Sequence, residues 1–350
     1  MDLTPATRDE LADVLRAASA DGRVVDVRGG GLHSRRGWPF VPDDILHTRA
    51  LDRVVDHVPD DMTITVEGGA TVGQVQEAAG AHRQGWPQAP DQPGATVGGV
   101  LAAAATGRRR LRFGPVRDSL LEVVVATGDG RIVKGGGRTV KTVTGYDLPR
   151  LLTGSLGTLG VIVQATLRLW PLPMAEQWFT AQGDDDQVLA AAGNALARLH
   201  RPTAVVVSPG SVHVCLTGVP GDVVAPAGMG PGTPPPGPTG AGVVEAGVPP
   251  GSLPALVRRL AMDGRAYEAW MGTGACMVAV GSATDVAAVR DLAMLHGGHA
   301  QVLDGDDALR ADPFGPVPAG ADIMRRIRAS FDPAGIMCPG RFAAREAVVA

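Results

Sequence analysis

The chain has 350 residues and a formal net charge of −4, so it is long enough for two domains and carries no overall basic excess. That balance argues against a nucleic-acid partner, because nucleic acids are bound by clustered positive charge. The cysteines lie far apart without CxxC spacing, which excludes a self-contained iron–sulfur or zinc site of the usual spacing and suggests no disulfide framework. They are Cys215, Cys276 and Cys338.

The N-terminal residues Met1–Pro5 are acidic and polar, unlike a signal peptide, and no apolar run approaches the length of a membrane span. The sparse cysteines make a reducing compartment the simplest interpretation. We therefore expect a cytoplasmic protein without a membrane span, which meets the inner face of the membrane only through partners.

In chain order, the first half alternates predicted helices and strands. Thr7–Ala20 has apolar residues at the spacing of one helix face, with Thr7 as the N-cap and Glu10 three residues further on. The β-branched run Val161–Leu169 predicts a buried strand. The other predicted elements are strand Val24–Val27, strand Met62–Glu67, a helix from Thr71 to Ala79, and a hairpin of Leu120–Val125 and Arg131–Lys134 about Gly128-Asp129-Gly130.

From about Leu172 the pattern becomes that of a second, smaller domain. Residues 219–254 are rich in Gly, Pro and Ala, so we predict that they form no regular element and are a flexible insertion. The segment Ala321–Phe342 is expected to return to the first domain, which would then be discontinuous. The other predicted elements are helices Asp184–Leu199, Leu253–Met262 and Asp285–Leu295, and strands Ala204–Ser208, Val212–Thr217 and Cys276–Val280.

Three glycine-rich segments indicate a ligand that the main chain itself approaches. Arg28–Ser34 follows a predicted strand directly, and consecutive glycines there can point successive N–H groups into one concavity that binds phosphate oxygens. Pro90–Gly99 opens a run of small residues that closes on Gly107, and such a run packs its backbone close to a neighbour or a flat ligand. Gly154–Ile162 packs glycines and hydroxyl residues before a strand. By itself, this last segment is equally well explained as a tight turn into the strand.

The order of these segments resembles the FAD-binding domain of the vanillyl-alcohol-oxidase and p-cresol-methylhydroxylase (PCMH) family. The likeness rests on the GGG loop, then ATVGG, AAAATG and FGPVRD, then GYDL and GSLGTLG. The ending Phe331–Phe342 is similar to the family's C-terminal signature, a short helix followed by Asn-Pro-Gly-Arg or Lys. Within the family, the small size, the pattern KTVTGYDLPRLLTGSLGTLG and the tetrad Gly297–Ala300 most resemble the FAD-binding subunits of glycolate oxidase.

The resemblance implies an α+β fold: a two-subdomain PCMH-type FAD-binding domain with a smaller α+β cap domain. We expect the FAD-binding domain in residues 1–172 and the cap or substrate domain in 173–320, with the flexible insertion at 219–254. Residues 321–350 would form the segment that returns to the FAD-binding domain.

The resemblance also implies which residues bind FAD. Gly29, Gly30, Gly31, Leu32 and His33 would donate backbone N–H groups to the pyrophosphate. A second set would lie along the ribityl chain and pyrophosphate: Pro90, Asp91, Thr96, Gly98, Gly99, Thr106 and Gly107. A third set would lie near the adenosine and the ring edge, with Ser155 and Thr158 as possible hydroxyl donors: Gly154, Ser155, Gly157, Thr158, Gly160 and Ile162. The protein would supply position and electrostatics, while the flavin carries the redox step.

The catalytic candidates are His299 and Arg341. A guanidinium at position 341 would stabilise the reduced flavin or a substrate carboxylate, although a surface arginine of the tail is the alternative. His299 is interpreted equally well as a flavin-facing polar group or as a structural histidine. His296 and His299 have a ligand-like spacing, but Gly297-Gly298 breaks any helix there, so we predict no metal site. Cys338 stands where the family has Asn.

His33 bears on how the flavin would be attached. Some relatives bind it covalently through a His in an RxGGH-like loop, whereas here Leu32 separates the glycines from His33. The loop is more similar to the GGGTK form, so we predict noncovalent FAD. The nearby arginines Arg108, Arg109, Arg110 and Arg112 are interpreted as a solvated turn in preference to a clamp for an anion.

Two functions follow from this sequence. The first is the FAD-binding subunit of a glycolate or other 2-hydroxy-acid oxidase or dehydrogenase. Such a chain would work beside a larger FAD subunit and an iron–sulfur subunit, since it lacks cluster cysteines of its own. The second is an accessory FAD-binding scaffold without independent turnover, which the irregular composition of 219–254 favours. An FAD oxidase of another alcohol, such as a sugar, is the further alternative.

Overall fold

The computed structural model describes residues 1–138 and 146–342; the Val140–Gly145 part of the family-like pattern therefore lies outside the described residues. The helices are α1 (Arg8–Asp21), α2 (Val72–Gly80), α3 (Val97–Ala102), α4 (Arg110–Phe113), α5 (Leu148–Leu152), α6 (Asp185–Arg198), α7 (Leu253–Met262), α8 (Ala283–Leu295) and α9 (Ala321–Phe331). The first strands are β1 (Asp2–Leu3), β2 (Val25–Arg28), β3 (Asp44–His47), β4 (Val54–Val58), β5 (Thr63–Glu67), β6 (Gln84–Gly85), β7 (Leu120–Ala126), β8 (Ile132–Gly136), β9 (Val161–Arg168) and β10 (Trp170–Pro171). The later strands are β11 (Ala175–Gln182), β12 (Ala204–Ser208), β13 (Ser211–Gly218), β14 (Gly230–Gly232), β15 (Gly242–Gly247), β16 (Tyr267–Trp270), β17 (Ala275–Val280) and β18 (His299–Asp304).

The chain divides into two compact units. The first comprises Met1–Gly107, Pro115–Leu172 and the chain from Pro316 onward; the second comprises Arg108–Gly114 and Pro173–Gly315. The chain therefore enters the second unit twice, and the short first visit was not expected from the sequence. In the described residues, no helix has the length and apolar character needed to cross a membrane.

The first unit contains two main sheets. Strands β1 and β2 flank β3 in a parallel three-stranded sheet, and an antiparallel sheet has the order β4-β5-β9-β7-β8. Its central strand β9 is the predicted β-branched run, and Ile162, Ala165 and Leu167 lie in the core with α3. Strands β7 and β8 pair as the hairpin predicted about Gly128-Asp129-Gly130.

The predicted helix starts of this unit are confirmed. The Thr7 hydroxyl accepts a hydrogen bond from the Glu10 N–H, and Leu11 and Leu15 are fully buried on the predicted apolar face. At α2, Thr71 and Gln74 form a reciprocal capping box, in which each side chain accepts the other residue's main-chain N–H. Such caps satisfy donors that the first helical turn leaves unpaired, so these helices begin where the sequence places the hydroxyl.

The second unit is a mixed layer of helices on a sheet of order β14-β11-β13-β12-β16-β17-β15-β18. Alternate residues of a strand face opposite sides of a sheet. Accordingly, Val205 and Val207 of β12 join a large core with α6, α7 and α8, whereas Ala204 and Val206 join a smaller cluster with Trp178 and Trp270 on the other side.

The prediction that 219–254 contains no regular element is wrong: Gly230–Gly232 forms β14, which pairs with β11, and a second strand lies in the C-terminal part. Gly242–Gly247 forms β15, which pairs with β17 on one side and β18 on the other. Its small residues Gly, Ala and Val fit this position because Val244 and Ala246 are fully buried in the core. The Gly- and Pro-rich composition masked a strand whose partners lie elsewhere in the chain.

The arginine-rich segment does not form a solvated turn, so that prediction is wrong. Arg108 donates two hydrogen bonds to the Glu268 carboxylate, at 2.6 and 2.7 Å, and a third to the Pro235 carbonyl. Glu268 is 2 % exposed and also accepts from the Trp270 indole at 2.6 Å. Sequence alone could not show that the paired carboxylate follows 160 residues later in the chain.

Candidate functional site

The glycine-rich segments meet at a cavity inside the first unit. It has a volume of about 80 Å³ and is partly open to solvent. Its lining residues are Val27, Arg28, Gly29, Gly30, Gly31, Leu32, His33, Ser34, Thr48, Ala95, Thr96, Gly98, Gly99, Ala102, Ala103, Leu156, Gly157, Gly160, Val161, Ile162 and Arg341.

The loop Gly29–His33 follows directly from the end of β2, and it leaves main-chain donors unused. None of its five N–H groups has a hydrogen-bond partner among the described residues. Gly31 has a φ of +80°, in the region that side chains rarely adopt. Gly29, Gly30 and His33 are half-buried, whereas Gly31 and Leu32 are exposed. Half-buried donors normally find partners, so the unpaired N–H groups of Gly29, Gly30 and His33 at a cavity fit an anionic ligand.

Close approach of two loops explains why the first loop needs glycine. A Cβ atom at Gly30 would lie 2.6 Å from the Gly94 carbonyl oxygen, and one at Gly29 would lie 2.1 Å from the Thr96 hydroxyl. That hydroxyl is the N-cap of α3 and accepts from the Gly99 N–H at 3.3 Å. The second glycine segment therefore packs directly on the first.

The third segment turns sharply before β9. Leu156, Gly157 and Gly160 have φ angles of +53°, +79° and +135°. A Cβ atom at Gly160 would lie 2.4 Å from the Ala126 carbonyl oxygen of β7. The close approach of the main chain here is thus to protein as well as to the cavity, so the tight turn and the ligand-binding interpretation both apply to this segment.

Several predicted site residues do not line the cavity. Thr158 donates its hydroxyl to the Ser155 carbonyl at 2.7 Å, and Thr106 accepts from the Val116 N–H at 3.2 Å, so both hydroxyls have structural partners. A Cβ atom at Gly107 would lie 2.4 Å from the Ala89 carbonyl oxygen, which explains that glycine by packing. The full set away from the lining is Pro90, Asp91, Thr106, Gly107, Gly154, Ser155 and Thr158. Their assignment to FAD stays a prediction.

The two catalytic candidates are placed differently. His299 is the exposed first residue of β18, in the second unit, and does not line this cavity. Arg341 lies in a short 3₁₀ turn, Pro339–Arg341, lines the cavity and is 6 % exposed. Its guanidinium forms an ion pair with Asp26 at 2.6 Å.

Asp26, Ser34 and Thr48 belong to this site or its support but were missed in the sequence. Asp26 does not line the cavity, yet its buried carboxylate joins Arg341 and Arg28, with the Arg28 Nε atom 2.8 Å away. The usable signal was an acidic residue inside the apolar strand that leads into the glycine loop. A buried carboxylate requires a cation, and no neighbour in sequence except Arg28 could supply one.

His33 is a neutral group at this cavity. Burial, with a smaller contribution from the nearby Arg36 charge, lowers the pKa of His33 to about 4. Its Nε2 atom is buried without a hydrogen-bond partner among the described residues. Among the described residues, the positive groups that line the cavity at neutral pH are therefore Arg28 and Arg341, and no carboxylate lines it.

Cys338 adopts a φ of +41° at the start of the terminal 3₁₀ turn. Asn is among the residues that tolerate this left-handed region best, which accounts for the family's Asn at this point. Here the cysteine Sγ atom accepts from the Val27 N–H at 3.5 Å, and burial raises the pKa of its thiol. The position thus keeps its unusual backbone with a different side chain.

The residues present fit FAD. The unpaired N–H groups of Gly29–His33 suit a diphosphate, and Gly98, Gly157 and Gly160 bring main chain to the cavity lining. In the described residues, no group of three His, Cys, Asp or Glu side chains could hold a metal ion.

Comparisons with known proteins agree with this geometry. The FAD binding domain family model matches residues 1–136. The D-lactate dehydrogenase of Archaeoglobus fulgidus is 37 % identical over 169 residues, which are 48 % of this chain and 38 % of that protein. Glycolate oxidase subunit GlcE of Escherichia coli is 32 % identical over 167 residues, 47 % of each chain. The chain therefore matches less than half the length of these curated relatives.

A solved structure shows the same fold over nearly the whole chain. Alkyldihydroxyacetonephosphate synthase superposes with a TM-score of 0.65 and 12 % sequence identity, covering 96 % of this chain and 76 % of that one. Most of the residues that line the cavity lie within the range that the family model matches. Because this match covers less than half of the chain, it shows a similarity to the FAD binding domain family over residues 1–136.

Proposed function

We propose that this chain binds FAD noncovalently in the cavity of the first unit and serves as an FAD-dependent oxidoreductase of 2-hydroxy acids. The observation that carries the proposal is the set of five unpaired main-chain N–H groups in Gly29–His33. The curated relatives support the substrate class, since they include a D-lactate dehydrogenase, a glycolate oxidase subunit and a D-2-hydroxyglutarate dehydrogenase of Xanthomonas citri.

Different glycine segments bind different parts of the ligand. The N–H groups of Gly29–His33 hold the diphosphate, and the glycines of the other two segments let the ligand lie against main chain. The bound flavin supplies the acceptor for a hydride from the alcohol carbon. Noncovalent binding is supported by Leu32, which separates the glycines from His33, and by the burial of the His33 Nε2 atom.

The finer part of the proposal is that this chain is the FAD-binding subunit of a glycolate oxidase-type complex in the cytoplasm. Its partners would be a larger FAD subunit and an iron–sulfur subunit, through which it would reach the inner face of the membrane. Supporting this, the three cysteines are buried, free and far apart in sequence, so electrons would have to leave through another chain.

An accessory scaffold without its own turnover is the second candidate. It is favoured by the described part of the cavity lining, which contains no carboxylate and a single histidine, His33, held neutral by its low pKa of about 4. His299, the other candidate base, belongs to a different unit. A general base for the substrate hydroxyl is therefore not among the residues that the structure describes in the cavity lining.

The test is anaerobic mixing of the purified chain with glycolate or D-lactate, followed through the oxidised-flavin band at roughly 450 nm. Bleaching by either acid supports an enzyme with its own turnover. A yellow protein that bleaches only with co-purified partners supports the scaffold. A correctly folded chain that remains colourless and does not take up micromolar FAD contradicts both. Acid precipitation should leave the flavin in the supernatant, since yellow colour in the pellet would contradict noncovalent binding.

A further inference from the structure

The C-terminal segment pairs with β2, the strand that leads into the glycine loop. The Val25 N–H of β2 donates to the Ile336 carbonyl, and the Cys338 N–H donates back to the Val25 carbonyl, each at 3.0 Å. Val25 and Met337 form a parallel bridge, so the segment extends the sheet beside β2. The last turn of the described chain is thus fixed directly next to the strand that ends in the loop.

Beyond the loop, the same segment contacts the chain again. The Trp38 N–H donates to the Gly340 carbonyl at 2.7 Å. Side chains are excluded on both sides of this contact, because a Cβ atom at Gly37 would lie 2.4 Å from the Gly340 oxygen and one at Gly340 would lie 2.4 Å from the Trp38 oxygen. Residues 336–341 therefore touch the chain before and after the glycine loop.

Arg341 joins the two ends of the loop itself. Its Nη1 atom donates to the Val27 carbonyl, just before the loop, and its Nη2 atom donates to the Ser34 carbonyl, just after it, both at 3.2 Å. The side chain is almost wholly buried, and its Nε atom is shielded from solvent. A planar guanidinium holds such donors at a fixed separation, which an ammonium group cannot do.

Asp26 compensates the buried charge and orients it. Its carboxylate lies 2.6 Å from Arg341 Nη2 and 2.8 Å from Arg28 Nε, with side chains of Asp26 and Arg341 only 5 and 6 % exposed. Removing one partner of a buried ion pair leaves the other charge buried without a counter-charge. The orientation of Arg341 is therefore held only while both Asp26 and Arg341 are present.

We infer that Arg341, oriented by Asp26, is a positioning residue that holds Val27 and Ser34 so that the N–H groups of Gly29–His33 converge on a diphosphate before the ligand arrives. This inference rests on the proposed FAD binding. The loop contains three consecutive glycines and therefore has much conformational freedom to lose on binding. By holding Val27 and Ser34, Arg341 removes part of this loss of conformational freedom before the ligand binds. The C-terminal segment therefore sets the affinity for the diphosphate half of the cofactor. Contact between Arg341 and the flavin ring is not required.

The test compares two ligand properties in the full chain: the Kd for ADP, measured by competition with FAD, and the midpoint potential of FAD at saturation. We expect Arg341→Met and Asp26→Asn each to raise the Kd for ADP and for FAD by the same factor, at least about tenfold. Adding Asp26→Asn to Arg341→Met should cause little further loss, because the pair acts as a unit. Arg341→Lys should recover only part of the affinity, and the midpoint potential of saturated FAD should stay at the wild-type value.

Arg23→Met is the matched control, since Arg23 pairs with the fully buried Asp44 in the same parallel sheet but does not touch the loop. It should lower the melting temperature without changing the Kd for ADP. An ADP affinity within twofold of wild type in Arg341→Met, or a shifted midpoint potential with unchanged ADP affinity, would contradict the positioning role of Arg341 and favour its contact with the flavin. A wild-type chain that binds neither FAD nor ADP would instead contradict the proposed function.

Discussion

At the scale of single residues, the two glycine loops depend on one contact that can be tested from both sides. A Cβ atom at Gly30 would meet the Gly94 carbonyl oxygen at 2.6 Å, whereas a Cβ atom at Gly94 would meet nothing within 4 Å. We expect Gly30→Ala to displace the loop and raise the Kd for FAD at least about tenfold, which corresponds to roughly 1.4 kcal/mol. Flavin fluorescence titration measures this. Gly94→Ala is the control, and equal affinity of the two variants would contradict the proposed packing.

His33 makes the stability of the first unit depend on pH. Its pKa is about 4 in the folded chain and 6.5 as an ordinary histidine, so between these values only the unfolded chain takes up the proton. The free energy of unfolding should therefore fall as the pH is lowered from 6.5 to 4, by at most about 3 kcal/mol from this group. The contribution is fully present above pH 6.5.

Chemical unfolding at pH 7 and pH 4.5 measures this effect as a difference between wild type and His33→Asn. The variant should lose less stability on acidification, because the carboxylates titrate alike in both proteins. His200→Asn, at an exposed position, should follow wild type. If His33→Asn loses as much stability as wild type, the neutral buried imidazole is not the cause.

At the scale of elements, the segment with α4 is held to the second unit by one buried ion pair. Glu268→Gln should lower the free energy of unfolding of that unit by about 3 kcal/mol, because it leaves the Arg108 charge without its carboxylate. Urea unfolding followed by tryptophan fluorescence reports it, since Trp270 donates to the same carboxylate. Glu176→Gln breaks the half-exposed pair with Arg109 and should cost less than about 1 kcal/mol. Equal losses would show that burial does not decide the difference.

At the scale of the whole molecule, the cavity belongs to one of the two units, so FAD should stabilise that unit selectively. A ligand at one hundred times its Kd adds about 2.7 kcal/mol to the state that binds it. Hydrogen exchange with saturating FAD should slow in Met1–Gly107 and Pro115–Leu172, and most in the loop after β2. Exchange in Pro173–Gly315 serves as the internal reference. Slowing confined to that second range would contradict the assignment of the cavity.

Local signals in the sequence were sufficient for much of this protein. Helix starts at Thr7 and Thr71, the strand Val161–Arg168 and the hairpin about Gly128-Asp129-Gly130 depend on neighbours a few residues apart, and the structure confirms them. Gly29–His33, singled out as consecutive glycines after a strand, line the cavity, and their binding of FAD stays a prediction.

What only the tertiary structure decided involves partners distant in the chain. Arg108 pairs with Glu268, Gly242–Gly247 becomes a strand between β17 and the edge strand β18, and Arg341 pairs with Asp26. Each ion pair joins residues far apart in the chain, and the strand pairs with β18, which lies more than thirty residues later. No local sequence pattern encodes such partners. A glycine's freedom or a capping hydroxyl acts within one turn of chain, whereas a buried charge is acceptable only once folding has brought its counter-charge to it.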